Sequence, residues 1–184
     1  MTFNWSPDEW QAGRKLIQFW RRQHTDTKEE DSSSTGEVEC GFETITQEEY
    51  QQQRLRDSLT KESQPQKSPL VVSCIYWRER NDYYITSVDC IYLLEGLIGV
   101  QFTVEEKNRI RRNLEGYRPC TVSKCKSDCA EFFKLIMGFP HPKPRNIEKD
   151  VKVFPWKILP SALQKIIGKY TPSYSSTMAV NLSS

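Results

Sequence analysis

Leu70-Val71-Val72-Ser73-Cys74-Ile75-Tyr76-Trp77, then Asn81-Asp82, then Tyr83-Tyr84-Ile85-Thr86, is the stretch on which the fold turns. β-Branched and aromatic residues fill both runs, and Asn-Asp supplies turn chemistry between them. The pattern predicts a β-hairpin. Downstream the period changes. Ser87 is placed to cap an apolar helix over 88–98 (Ile91, Leu93, Leu94, Leu97, Ile98), closed by Gly99. Thr103-Val104-Glu105-Glu106 has the spacing of a capping box and opens a helix over 104–114, stopped by Gly116. A further helix is predicted over 127–137, a short strand over 151–156 and a last helix over 160–168. Alternating prolines in Phe139-Pro140-His141-Pro142-Lys143-Pro144-Arg145-Asn146 fix φ and exclude a helix there.

Upstream, Ser6-Pro7-Asp8-Glu9 carries an N-cap serine, an N1 proline and a glutamate three residues past the cap. Trp10, Leu16, Ile17 and Trp20 follow near helical spacing with Phe19 beside them, which predicts one helix over 7–23. Residues 25–41 are polar and acidic, including Lys28-Glu29-Glu30-Asp31-Ser32-Ser33-Ser34, and read as a loop too polar to offset its ordering entropy. Thr46-Gln47-Glu48-Glu49 opens a short helix reaching about residue 59, and 61–68 reads as linker. The expected fold class is α+β, predominantly helical: a central β-hairpin followed by a helical bundle with a helix-turn-helix-like pair. The expected organisation is an N-terminal helix (1–24) and an acidic disordered loop (25–45). A short helix and linker (46–68), a compact basic core (69–170) and a disordered tail (171–184) follow.

The chain has 184 residues, 37% of them hydrophobic and 11% aromatic. That length suits one domain with polar tails, and the aromatic content argues against wholesale disorder. No apolar run approaches the ~18–20 residues of a bilayer span, so no membrane partner is expected. The net charge of +2 conceals an asymmetry. Residues 1–68 hold 9 basic and 13 acidic residues, and residues 69–184 hold 17 and 11. Within 107–145 the balance is 10 basic to 3 acidic. An acidic front and a basic back point to a polyanionic partner.

Met1-Thr2-Phe3-Asn4-Trp5 lacks the basic region and apolar run of a secretory signal, so Cys40, Cys74, Cys90, Cys120, Cys125 and Cys129 are expected to be reduced thiols. Cys120, Cys125, Cys129 and His141 supply zinc-type ligands, but their gaps fit the usual paired spacing poorly. His24 and His141 are the two histidines, and no nucleophile elbow, phosphate-binding glycine loop or zinc-protease signature is present. The expectation is a non-enzyme with no cofactor and no metal. The helix pair 88–98 and 104–114 has the outline of a DNA-binding motif. Lys107, Arg111 and Arg118 are suited to phosphates, and Arg112 and Asn113 to base edges. Arg109, Lys124, Lys143 and Arg145 complete the candidate set. Lys143-Pro144-Arg145 reads either as an extended segment along a phosphate backbone or as a rigid connector.

Three long strings share one likeness: Tyr84-Ile85-Thr86-Ser87-Val88-Asp89-Cys90-Ile91-Tyr92-Leu93-Leu94-Glu95, Glu106-Lys107-Asn108-Arg109-Ile110-Arg111-Arg112-Asn113-Leu114-Glu115-Gly116, and residues 132–156 with the core Ile147-Glu148-Lys149-Asp150-Val151-Lys152-Val153-Phe154-Pro155-Trp156. Together with Trp5-Ser6-Pro7-Asp8-Glu9-Trp10, they resemble the conserved domain of the Medusa-type transcriptional regulators of filamentous fungi. The resemblance implies a nuclear regulator of development, acting in asexual sporulation, adherence and biofilm formation, and it supplies no mechanism; DNA is expected as a partner on charge grounds, with other transcription regulators as further partners. It brings no catalytic or binding residues with it. The alternative is a non-catalytic protein–protein interaction module within a regulatory complex, docking through Trp10, Phe19 and Trp20 or through the proline loop.

Overall fold

A computed structural model describes residues 4–24, 37–60, 70–144 and 150–170. The expected hairpin is present as β3 (Leu70–Trp77) and β4 (Asp82–Thr86), joined by a 3-10 turn at Arg78–Arg80. It lies at the centre of a larger sheet. Strands β1 (Arg14–His24), β2 (Glu37–Ile45), β5 (Cys120–Val122) and β6 (Val151–Pro155) extend it to six strands in the order β2-β1-β3-β4-β6-β5, with every neighbouring pair antiparallel. The expected helical bundle is therefore overturned. The fold is mixed α+β, and the six α-helices among the described residues are α1 (Pro7–Ala12), α2 (Gln47–Leu59), α3 (Ser87–Ile98), α4 (Val104–Glu115), α5 (Ala130–Met137) and α6 (Leu159–Tyr170).

The error lies in residues 7–23, which form two elements instead of one helix. The capping box of Ser6 and Glu9 does start α1, but Gly13 ends it after six residues in the left-handed conformation (φ 74°). From Arg14 onward the chain is a strand paired on both sides, and its apolar residues alternate between two buried faces. Ile17 and Phe19 point to one face and Leu16 to the other. A doubly buried strand shows near-continuous hydrophobicity, and over a short run that is not separable from a helical stripe. The acidic loop expected over 25–45 is likewise corrected at its end, because residues 37–45 form β2. Val38, Cys40 and Phe42 alternate with Glu37, Glu39 and Glu43, a period of two that the surrounding acidity obscures. The rest of that loop (25–36), the linker 61–68 and the tail 171–184 lie outside the described residues.

Each face of the sheet carries its own core. Ile17, Phe19, Val72, Cys74, Ile85 and Phe154 point to the first face, where α3, α4 and α6 cover them with Leu93, Leu94, Ile110, Leu114, Leu163 and Ile166. On the second face, Ile75, Trp77, Tyr84, Val122, Val151 and Val153 meet Phe132, Phe133 and Ile136 of α5. The Trp77 and Phe132 rings stack there at 4.3 Å. Leu16, Ile45 and Val71 form a smaller cluster beneath Tyr50 of α2. Boundaries elsewhere shift slightly. Thr86, not Ser87, caps α3; α5 begins only after Cys129; and α6 runs through Gly168.

Gly13 combines both glycine requirements: a positive φ and a close neighbour, with a Cβ there lying 2.8 Å from Leu135 Cδ2. Gly13→Ala is expected to cost about 1–2 kcal/mol, a fall in thermal midpoint of roughly 2–8 °C. An unchanged midpoint would show that neither constraint operates.

Candidate nucleic-acid interface

Helix α4 is built as its sequence prescribes. The Thr103 hydroxyl accepts from the Glu106 amide (3.2 Å), and the Glu106 carboxylate accepts from the Thr103 amide (2.8 Å). Ile110 and Leu114 anchor the helix to the first-face core. Its cations, however, are divided between its two flanks. Lys107 turns towards α3 and pairs with Glu95 at 3.2 Å. Arg109 lies 3.9 Å from Glu105, and Arg111 donates to Asn108 at 2.9 Å. Arg112 is exposed. Asn113, expected to read a base, donates to the Arg109 carbonyl (3.1 Å) and accepts from Lys169 of α6 (2.9 Å).

That last bond gathers a second set of residues. Lys165, one turn before Lys169, stands over the Tyr117 ring at 5.7 Å from its centroid. The Asn113–Lys169 bond thus ties α4 to α6, and Arg109 and Arg112 of α4 and Lys165 and Lys169 of α6 are all exposed. The i,i+4 spacing of Lys165 and Lys169 is visible in the sequence, but their approach to α4 depends on how α6 crosses it. Arg118 follows α4, exposed and with φ 55°.

Lys124 and Lys143 belong elsewhere. Lys124 is exposed in the connection from β5 to α5. Lys143 is exposed in the proline loop, on the second-face side of the sheet. Arg145 lies outside the described residues.

The loop is a rigid connector. Prolines offer carbonyl acceptors but no N–H donors, so the donors that hold such a loop must come from other segments. Arg14 of β1 supplies two of these bonds, to the carbonyls of Pro142 (2.6 Å) and Pro140 (3.0 Å). Gln47 donates to the His141 carbonyl (2.6 Å), and Thr86 to the Pro144 carbonyl (2.5 Å). The Arg14 guanidinium also donates to Ser73 Oγ and Gln47 Oε1 and lies over the Phe139 ring. Burial lowers its pKa to about 10, against the opposing influences of Asp89 and Tyr50.

Asp89 is the acid of this network. Its Oδ2 accepts from the Ser73 amide (3.1 Å), and its own amide donates to Thr86 Oγ1 (3.2 Å). Burial pushes its carboxyl up to about 7, opposed by the Ser73 hydrogen bond and the Arg14 charge.

Among the described residues no group of three or more His, Cys, Asp or Glu is arranged to hold a metal ion. Cys129 Sγ accepts from the Ser123 amide, Cys120 Sγ accepts from Arg80 at 3.0 Å, and Cys125 is exposed. Burial pushes the Cys74 and Cys90 thiols up, which keeps them protonated and unreactive. No helix among the described residues is long and apolar enough to cross a membrane.

The architecture is that of a mixed α+β domain with one antiparallel sheet between two helical layers. The chain belongs to the family described as domain of unknown function DUF7082, whose model matches residues 1–167. No curated protein and no solved structure matches it.

Asp89 predicts a pH dependence. Its folded pKa lies above the ordinary carboxylate value of 3.8. Between pH 4 and 7 the unfolded chain therefore binds fewer protons than the folded one, and the Asp89 contribution to stability falls as pH rises through that window. Thermal midpoints at pH 5, 6 and 7.5 should decline less steeply for Asp89→Asn than for the wild type. Equal slopes would place the retained proton on another group.

Proposed function

We propose that this chain is a non-catalytic DNA-contacting domain of a nuclear regulator of fungal development, as its resemblance to the Medusa-type regulators implies. The α4–α6 face would grip the phosphate backbone. The observation that carries this reading is the Asn113–Lys169 hydrogen bond, which ties together two helices that carry the exposed cations Arg109, Arg112, Lys165 and Lys169. Phosphates are neutralised by clustered, exposed Lys and Arg, whereas base reading needs side chains free to enter a groove. Asn113 is committed to Arg109 and Lys169, so we assign this face to gripping the phosphate backbone. Other transcription regulators are proposed as further partners.

The alternative interaction-module reading draws on Trp10, which is 45% exposed and packs against Trp5 and Tyr76. Phe19 is buried and Trp20 half-buried, so neither adds to an aromatic docking helix.

Duplex DNA titrated at several salt concentrations tests the proposal. Log affinity should fall linearly with log salt, and Arg112→Ala/Lys165→Ala/Lys169→Ala should flatten the slope by up to ~0.9 for each phosphate left without a cation. Lys124→Ala/Lys143→Ala should leave both slope and affinity nearly unchanged. No binding at low salt, or the reverse ranking of the two variants, would overturn the assignment.

A further inference from the structure

We infer that a cavity on the second face of the sheet binds a small organic ammonium ion with an apolar body, such as an aryl-alkyl amine. The cavity measures about 360 Å³ and lies where α1, the start of β1, the start of α2 and the proline loop meet. Small-molecule sites span roughly 300–1,000 Å³ and combine apolar walls with a few polar groups. Leu16, Ile45, Phe139 and Pro140 supply the apolar wall. Leu16 and Ile45 belong to the cluster beneath Tyr50, and Phe139 to the second-face core. The wall is therefore formed by the fold before any ligand enters.

The charged groups choose the ligand. Arg14 is the one cation lining the cavity among the described residues. Four of its five N–H groups already donate, to Ser73, Gln47, Pro140 and Pro142. Glu9 also lines the cavity, but its carboxylate accepts from Lys15 Nζ at 2.6 Å and from the Ser6 amide. Asp8 of α1 and Glu48 of α2 remain. Both are exposed lining residues, and neither carboxylate has a hydrogen-bond or ion-pair partner among the described residues. Their helix neighbours three and four residues on, Gln11 and Ala12 for Asp8 and Gln51 and Gln52 for Glu48, are uncharged.

An anion fits this cavity poorly, because it gains at most one donor from Arg14 and meets two free carboxylates. A molecule without charge covers the apolar wall and leaves both carboxylates as they are. An ammonium head group answers them with charge-assisted hydrogen bonds, while the apolar body lies against Leu16, Ile45 and Phe139. The cavity shares no lining residue with α4 or α6, so this site stands whether or not those helices bind DNA.

The test titrates phenethylamine, protonated at neutral pH, into the isotope-labelled full chain and follows amide chemical shifts. Saturable shifts are expected in residues 12–16, 45–48 and 139, with a Kd on the order of 1 mM for a ligand this small. The alcohol 2-phenylethanol and the acid 3-phenylpropanoate carry the same ring on a neutral and a negative head group. The alcohol should bind about three- to tenfold more weakly than the amine, and the acid more weakly still. Asp8→Asn/Glu48→Gln should lower the affinity for phenethylamine to that for 2-phenylethanol. The same variant should keep its fold, since both side chains are exposed. The inference falls if no shifts saturate, if they are confined to other segments, if amine and alcohol bind equally, or if the double variant binds the amine unchanged.

Discussion

The guanidinium of Arg14 holds together segments that are far apart in the sequence. It is 4% exposed and donates to Ser73 on β3, to Gln47 at the start of α2, and to the carbonyls of Pro140 and Pro142. A buried cation is tolerated only where its donors are matched by acceptors, and a proline loop is rich in acceptors that lack donors. Each requirement meets the other. Gln47 and Thr86 complete the arrangement at His141 and Pro144. The loop leaving α5 is thereby held beneath the sheet on the second face.

The division of the cations follows from this architecture. Tethering the proline loop on the second face places Lys143 away from α4, although both lie in the same strongly basic stretch of sequence. Packing α6 beside α4 on the first face does the opposite, bringing Lys169 to Asn113 and Lys165 over Tyr117. Positive charge summed along a chain becomes a binding surface only where the fold concentrates it. The acidic strand β2 lies at the end of the sheet beyond β1.

Much of the fold was legible where local chemistry decides it. The capping boxes at Ser6, Thr46 and Thr103 all start helices, and the hairpin of residues 70–86 forms as its composition indicates. The candidate interface was legible in part, since α4 and its cations were placed correctly. Two kinds of information were missing. Strand β1 has apolar residues on both faces, so its spacing matched a helix as well as a strand. β2 carries its alternation within an acidic stretch and is ordered by pairing with β1, a partner outside its own sequence.

By itself, then, the sequence determined the helix starts, the central hairpin, the helix-excluding loop and the sign of charge along the chain. These depend on backbone preferences and capping groups a few residues apart. Tertiary structure alone decided that the hairpin sits inside a six-stranded sheet and that Arg14 is buried against proline carbonyls. It also decided that Asn113 is bound to Lys169 rather than free, and that β2 pairs with β1 at one end of the sheet. Each of these depends on atoms brought together from distant positions, and their pairing is set by the packing of the whole core.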